Sequence, residues 1–139
     1  MVLCGELLNK NKTGEDGNSF NQKFIIWDIL VYNGFYLLGN TTLQRMELLE
    51  TLFPCNRMMV YQKEIEMYNH ICCTGIKGIY KAPVYLSGFN KIYKQLIKTD
   101  LYEGLVLKRK DAVLNYGYNE KNNVAWQIKI RKETKNYSI

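Results

Sequence analysis

Residues 23–34, KFIIWDILVYNG, decide how the rest of this chain is read. From Lys23 to Tyr32 the run is dense in β-branched and aromatic side chains and holds neither Gly nor Pro. That predicts one long strand, buried on both faces for much of its length. Asn33-Gly34 is the strongest short hairpin signal, because a type I′ turn needs positive φ at both central residues; residues 35–38, FYLL, are the expected return strand. Asp28 is the uncomfortable member of the run. Strict alternation puts it on the face of Phe24 and Ile26, where a carboxylate must be hydrogen-bonded to be tolerated. Trp27 beside it reads as core, or as a platform for a purine base.

Toward the N-terminus, residues 2–9, VLCGELLN, form a short apolar strand with Glu6 inside it, and residues 9–22 are a Gly/Asn/Asp/Ser-rich surface loop. Toward the C-terminus, Thr41 with Gln44 three residues on is a capping-box pattern. It opens a helix through about Phe53 with Met46, Leu49 and Phe53 on one stripe, and Pro54 stops it. Residues 57–86 offer several short strand-like pieces: RMMVY, HICCT and GIYKAPVYL. A second helix starts near Ser87, with Phe89, Ile92, Tyr93, Leu96 and Ile97 on one face. Two last strands follow, EGLVLKR (103–109) and VAWQIKI (124–130). The expected fold class is α+β: antiparallel β-sheets with flanking helices, without repeat, linker or low-complexity tract.

At 139 residues the chain suits one domain, and 47% hydrophobic with 23% charged residues argues against wholesale disorder. A net charge of +6 suits a polyanionic partner. No apolar run approaches the roughly 18 residues of a bilayer span, and the N-terminus lacks a secretory apolar region, so neither a membrane nor a secreted protein is expected. Cys4, Cys55, Cys72 and Cys73 are expected to be reduced, mostly buried thiols, with adjacent Cys72 and Cys73 on opposite strand faces. His70 is the single histidine, which disfavours a closed zinc site and any Ser-His or Cys-His mechanism.

Charged residues stand where a purely structural strand would not want them. Glu6 interrupts the first strand. Glu103 precedes a strand that ends in Lys108, Arg109 and Lys110. In WQIKIRK, alternation puts Gln127, Lys129 and Arg131 on one face, with Ile128 and Ile130 on the other. Two cations spaced by two residues lie about 7 Å apart, a spacing that can grip two oxygens of a polyphosphate.

In order along the chain, FIIWDILVYNG, TLQRMELLETLF, YEGLVLKRKDAVLNYG and WQIKIRKETKNY together resemble the covalent nucleotidyltransferases: ATP-dependent DNA ligases, RNA ligases and mRNA capping guanylyltransferases. The resemblance runs over nearly the whole chain. It implies an ATP-grasp-like nucleotidyltransferase domain, with 1–139 as the C-terminal two-thirds of a ligase-type adenylyltransferase and no oligonucleotide-binding barrel. By the same resemblance Glu6 contacts the nucleotide ribose, Trp27 stacks on the purine, and Glu103 assists Mg²⁺. Lys129 and Arg131 contact the α-phosphate as the catalytic clamp, and Lys108 joins the nucleotide site. ATP would be the AMP donor and nicked duplex DNA, or RNA, the partner, in the cytoplasm or wherever DNA is replicated.

Cys4 stands where the family has Asp before Gly-Glu, and Arg131 replaces the commoner second Lys. The family's nucleophilic lysine lies in a K-x-D-G motif several tens of residues before the Glu6 strand. That motif is absent here, and Lys12 in KTGEDG follows the wrong strand. The expectation is a chain that cannot self-adenylylate alone and that could need a segment supplying K-x-D-G. Two other readings compete: an RNA ligase of the same superfamily, and a non-catalytic nucleic-acid-binding remnant suited to the eleven tyrosines.

Overall fold

The computed structural model describes residues 1–14, 17–54, 71–114 and 127–132. The strand RMMVY falls outside these residues, as do the loop after Leu114 and the start of the last strand. The described chain is α+β. Its elements are β1 (Val2–Leu8), β2 (Lys12–Thr13), β3 (Ser19–Phe20), β4 (Lys23–Tyr32), β5 (Phe35–Tyr36), α1 (Thr42–Leu52), β6 (Cys72–Cys73), β7 (Ile79–Lys81), α2 (Phe89–Leu96), β8 (Gly104–Lys108) and β9 (Gln127–Arg131).

β4 spans Lys23–Tyr32 as the sequence predicts, and it organises the main sheet, whose order is β1-β4-β7-β6 with β5 also on β4. Asn33 and Gly34 have φ of 55° and 81°, the two positive values the hairpin needs. The return strand is only Phe35–Tyr36, shorter than FYLL. The 9–22 loop closes on itself as the small β2–β3 hairpin.

The sheet is mixed and not purely antiparallel. β7 runs parallel to β4, with Phe24, Ile25 and Ile26 opposite Ile79, Tyr80 and Lys81. Parallel neighbours require a crossover, and α1 lies in the chain between the two strands. Of GIYKAPVYL only Ile79–Lys81 is strand, since Pro83 lacks the N–H that a longer ladder would need.

Strict alternation along β4 also fails, and at a defined place. Gly5 pairs with Ile26 and Cys4 with Asp28, so Trp27 has no residue opposite it; Leu30 is skipped in the same way between Leu3–Ile29 and Val2–Val31. Each extra residue reverses the facing of the residues beyond it. Phe24, Ile26 and Ile29 therefore share one face, and Ile25 and Asp28 the other. The first face buries Ile26 and Ile29 against Met46, Leu49 and Phe53 of the α1 stripe. The second carries a smaller cluster of Leu8, Phe20 and Leu101, with Ile25, Tyr80 and Tyr102 packed on it.

α1 starts at the expected capping box: the Gln44 N–H donates to Thr41 Oγ1 at 3.1 Å, and the Thr41 N–H donates to Gln44 Oε1 at 2.9 Å. Two further first-turn N–H groups, those of Thr42 and Leu43, donate to the carbonyls of Ala112 and Lys110 at 2.9 and 3.1 Å. The segment after β8 thus closes the helix N-terminus. At the other end, buried Lys81 pairs with Glu50 and donates to the Phe53 carbonyl at 2.7 Å. α2 packs Ile92 and Leu96 against Leu105 of β8.

The cysteines depart from expectation. Cys72 is disulfide-bonded, whereas Cys4 and Cys73 are free. Cys72 is buried and Cys73 exposed, so the opposite-face reading holds while the mostly buried reduced set does not. No helix among the described residues is long and apolar enough to cross a membrane.

Candidate functional site: a cationic ribbon against the main sheet

β8 and β9 form a separate two-stranded antiparallel ribbon that pairs Lys108 with Gln127, Val106 with Lys129 and Gly104 with Arg131. Directly opposite residues share a face, so Lys108, Lys129 and Arg131 all stand on one face, with Leu105 and Ile130 on the other. Close contact between the two strands depends on Gly104, because a Cβ there would lie 1.9 Å from the Ile130 carbonyl oxygen. The ribbon is tied down by the Lys132 N–H, which donates to the Glu103 carbonyl at 2.8 Å, and by Lys132 Nζ, which donates to the Thr99 carbonyl at 2.6 Å.

The cationic face meets the main sheet at Asp28. Lys108 Nζ lies 4.0 Å from Asp28 Oδ2. Asp28 is otherwise held by three hydrogen bonds: Oδ1 accepts from the Ile29 N–H at 2.8 Å and Arg45 Nε at 2.9 Å, and Oδ2 from Arg45 Nη2 at 3.2 Å. Arg45 Nη1 donates to the Asn40 carbonyl at 2.8 Å. Cys4 lies directly across from Asp28, and Glu6 falls on the same face of β1, exposed.

One carboxylate among two cations leaves a net positive, largely enclosed cluster. Burial pushes the Lys108 amine below its ordinary 10.5, the Asp28 carboxylate opposes that shift, and the Arg45 guanidinium adds to it. Burial, then Asp28, pushes the Cys4 thiol above its ordinary 9.0.

The expected site residues therefore separate into groups. Lys108, Lys129 and Arg131 come together on one ribbon face, and Glu6, Cys4 and Asp28 share the sheet face that Lys108 reaches. Glu103 is exposed and lies 4.0 Å from Arg131 Nε. Trp27 stands apart. At the bulge it is 41% exposed, and it lines a cavity of about 10 Å³ with Met46, Glu50, Lys81 and Val84, on the α1 side of the sheet. Lys12 is engaged elsewhere, donating to the Asp100 carbonyl at 3.0 Å.

Among the described residues no group of three or more His, Cys, Asp or Glu could hold a metal ion. Glu103 alone offers one carboxylate, a partial Mg²⁺ site of the kind that substrate phosphate oxygens complete. Sequence reasoning flagged Asp28 but missed its partner. The signal was present: Arg45 lies on the same helical stripe as Leu49, where an arginine survives burial only with a carboxylate to face. No family model, no curated protein and no solved structure matches this chain.

Proposed function

We propose that this chain is the nucleotide-handling part of an ATP-dependent polynucleotide ligase, an ATP-grasp-like adenylyltransferase domain whose favoured substrate is nicked DNA. The observation that carries the reading is the common face of Lys108, Lys129 and Arg131, which reaches Asp28 of the main sheet, on the face that also carries Glu6, through Lys108. A triphosphate there would meet the cations of the ribbon, with Glu6 as the ribose acceptor. Cations fixed on one strand face stabilise charge that develops on a transferring phosphoryl group without reorganising. Mg²⁺, held by Glu103 with phosphate oxygens, would neutralise part of the same charge.

The test is ATP binding by calorimetry with Lys129→Ala as the variant. Retention of wild-type affinity in that variant would sink the clamp assignment. A second reading, a nucleic-acid-binding remnant, is favoured by the location of Trp27 away from the ribbon and by Glu103 facing Arg131 instead of an open site. Such a protein binds oligonucleotides and ignores ATP.

A further inference from the structure

We propose that Lys108 is a nucleophilic amine, and that the electrophile it takes carries a phosphate docked on Lys129. This inference does not rest on the adenylyl-transfer reading, because it uses only the surroundings of Lys108 and the register of the ribbon. The Lys108 side chain is 19% exposed, enclosed yet reachable. Among the described residues the groups whose charge acts on its ammonium are Asp28 of β4, at 4.0 Å, Arg45 of α1 and Cys4 of β1. The one carboxylate among them is already held by two Arg45 nitrogens and a backbone N–H. Among the described residues Lys108 is left with one 4.0 Å charge contact, to Asp28, and no hydrogen bond to that carboxylate. A lysine desolvated beside another cation is a standard arrangement for a reactive amine, and the downward direction of its pKa, set first by burial, is the same.

The docking half comes from register. Lys108 faces Gln127 across the ribbon, so Lys129 is its diagonal neighbour on the same face, roughly 7–8 Å away. Lys129 is exposed and makes no ion pair among the described residues, whereas Arg131 already faces Glu103. A small molecule with its reactive atom a few bonds from a phosphate spans that gap.

Pyridoxal 5′-phosphate is such a probe. The Lys108 lone pair attacks the aldehyde carbon, the carbinolamine loses water and an imine forms; borohydride then delivers hydride to give a stable secondary amine. After brief exposure of the full chain at neutral pH, reduction and peptide mapping, Lys108 should be modified about tenfold faster than exposed Lys94 and Lys98. Its rate should climb with pH through a midpoint below the ordinary lysine range. Inorganic phosphate should slow it, phosphate-free pyridoxal should react more slowly, and Lys129→Ala should cost about tenfold. Modification of Lys108 no faster than Lys94 and Lys98 overturns the proposal. So does a wild-type rate that neither phosphate nor loss of the probe's phosphate changes, a result that needs no variant to fold.

Discussion

Asp28 concentrates the chemistry of single residues. It is 6% exposed, accepts three hydrogen bonds and faces a second cation, so its removal strands a buried guanidinium. Asp28→Ala is expected to cost about 3–5 kcal/mol in urea unfolding, and Arg45→Met together with Asp28→Ala distinctly less than the sum of the two. Strict additivity would mean that the pair does not act as a unit. Lys108 gives the opposite sign. Its native pKa is lowered, so between that value and 10.5 the unfolded chain binds more protons than the native one. Stability from this group is therefore expected to rise with pH across that window. Replacing it by Met should remove the rise and leave stability at pH 7 no lower than wild type. Cys4 works against this above 9.0, where the native state keeps a proton that the unfolded state has lost, so unfolding midpoints are best compared between Cys4→Ala and Cys4→Ala/Lys108→Met. A Lys108→Met variant that is clearly destabilised at pH 7 would show that the Asp28 contact outweighs desolvation.

At the scale of elements, the capping box and the ribbon glycine separate two kinds of sequence legibility. Thr41→Ala removes the acceptor of the Gln44 N–H and is expected to cost about 1 kcal/mol, read as a lower melting temperature with unchanged ATP binding. That helix could be read directly, because a cap, an apolar stripe and a terminating proline are all local signals. β4 was legible for the same reason, down to both of its ends. The orientation of β7 was not, since three residues, Ile79–Lys81, carry no mark of which strand they join or in which direction. Nor was the bulge at Trp27, which arises from the count of residues on β1 and is invisible in β4 itself. That one skipped residue moves Asp28 to the ribbon side and leaves Trp27 with α1, so the candidate site was legible in residue types and not in their grouping. Gly104 lies between these cases: Glu-Gly before an apolar strand is visible, but its need for the absent Cβ is set by Ile130. Gly104→Ala should unpair β8 from β9 and disperse the cationic face. If the ribbon face is a nucleotide clamp, the expected result is loss of ATP binding while the helical signal in circular dichroism stays, because α1 packs on the main sheet. Intact ATP binding in Gly104→Ala would separate the clamp from the ribbon.

For the molecule as a whole, charge and architecture give two distinguishable outcomes in one titration. The chain carries 19 basic against 13 acidic residues, so it will bind a polyanion to some degree whatever its function. The useful quantity is how binding depends on salt and on ATP together. Each phosphate contact neutralised contributes about −0.9 to the slope of log K against log salt on duplex DNA. If the ribbon face is a nucleotide clamp, Lys129 and Arg131 are occupied when ATP is bound. Nicked duplex should then bind with a smaller slope in the presence of ATP than in its absence, by about two contacts. If the same face is a general backbone-binding surface, the slope will not respond to ATP at all, and Lys129→Ala will flatten it by about one contact under either condition. The Asp28–Arg45–Lys108 cluster makes the distinction structural as well as thermodynamic, because it is where the ribbon meets the sheet face that carries Glu6. An Asp28→Asn variant keeps the size of the side chain but surrenders its charge, which leaves Arg45 and Lys108 to repel each other. ATP-sensitive DNA binding that survives that loosening would place the nucleotide away from this face; its disappearance, with bulk DNA affinity retained, would tie the two together.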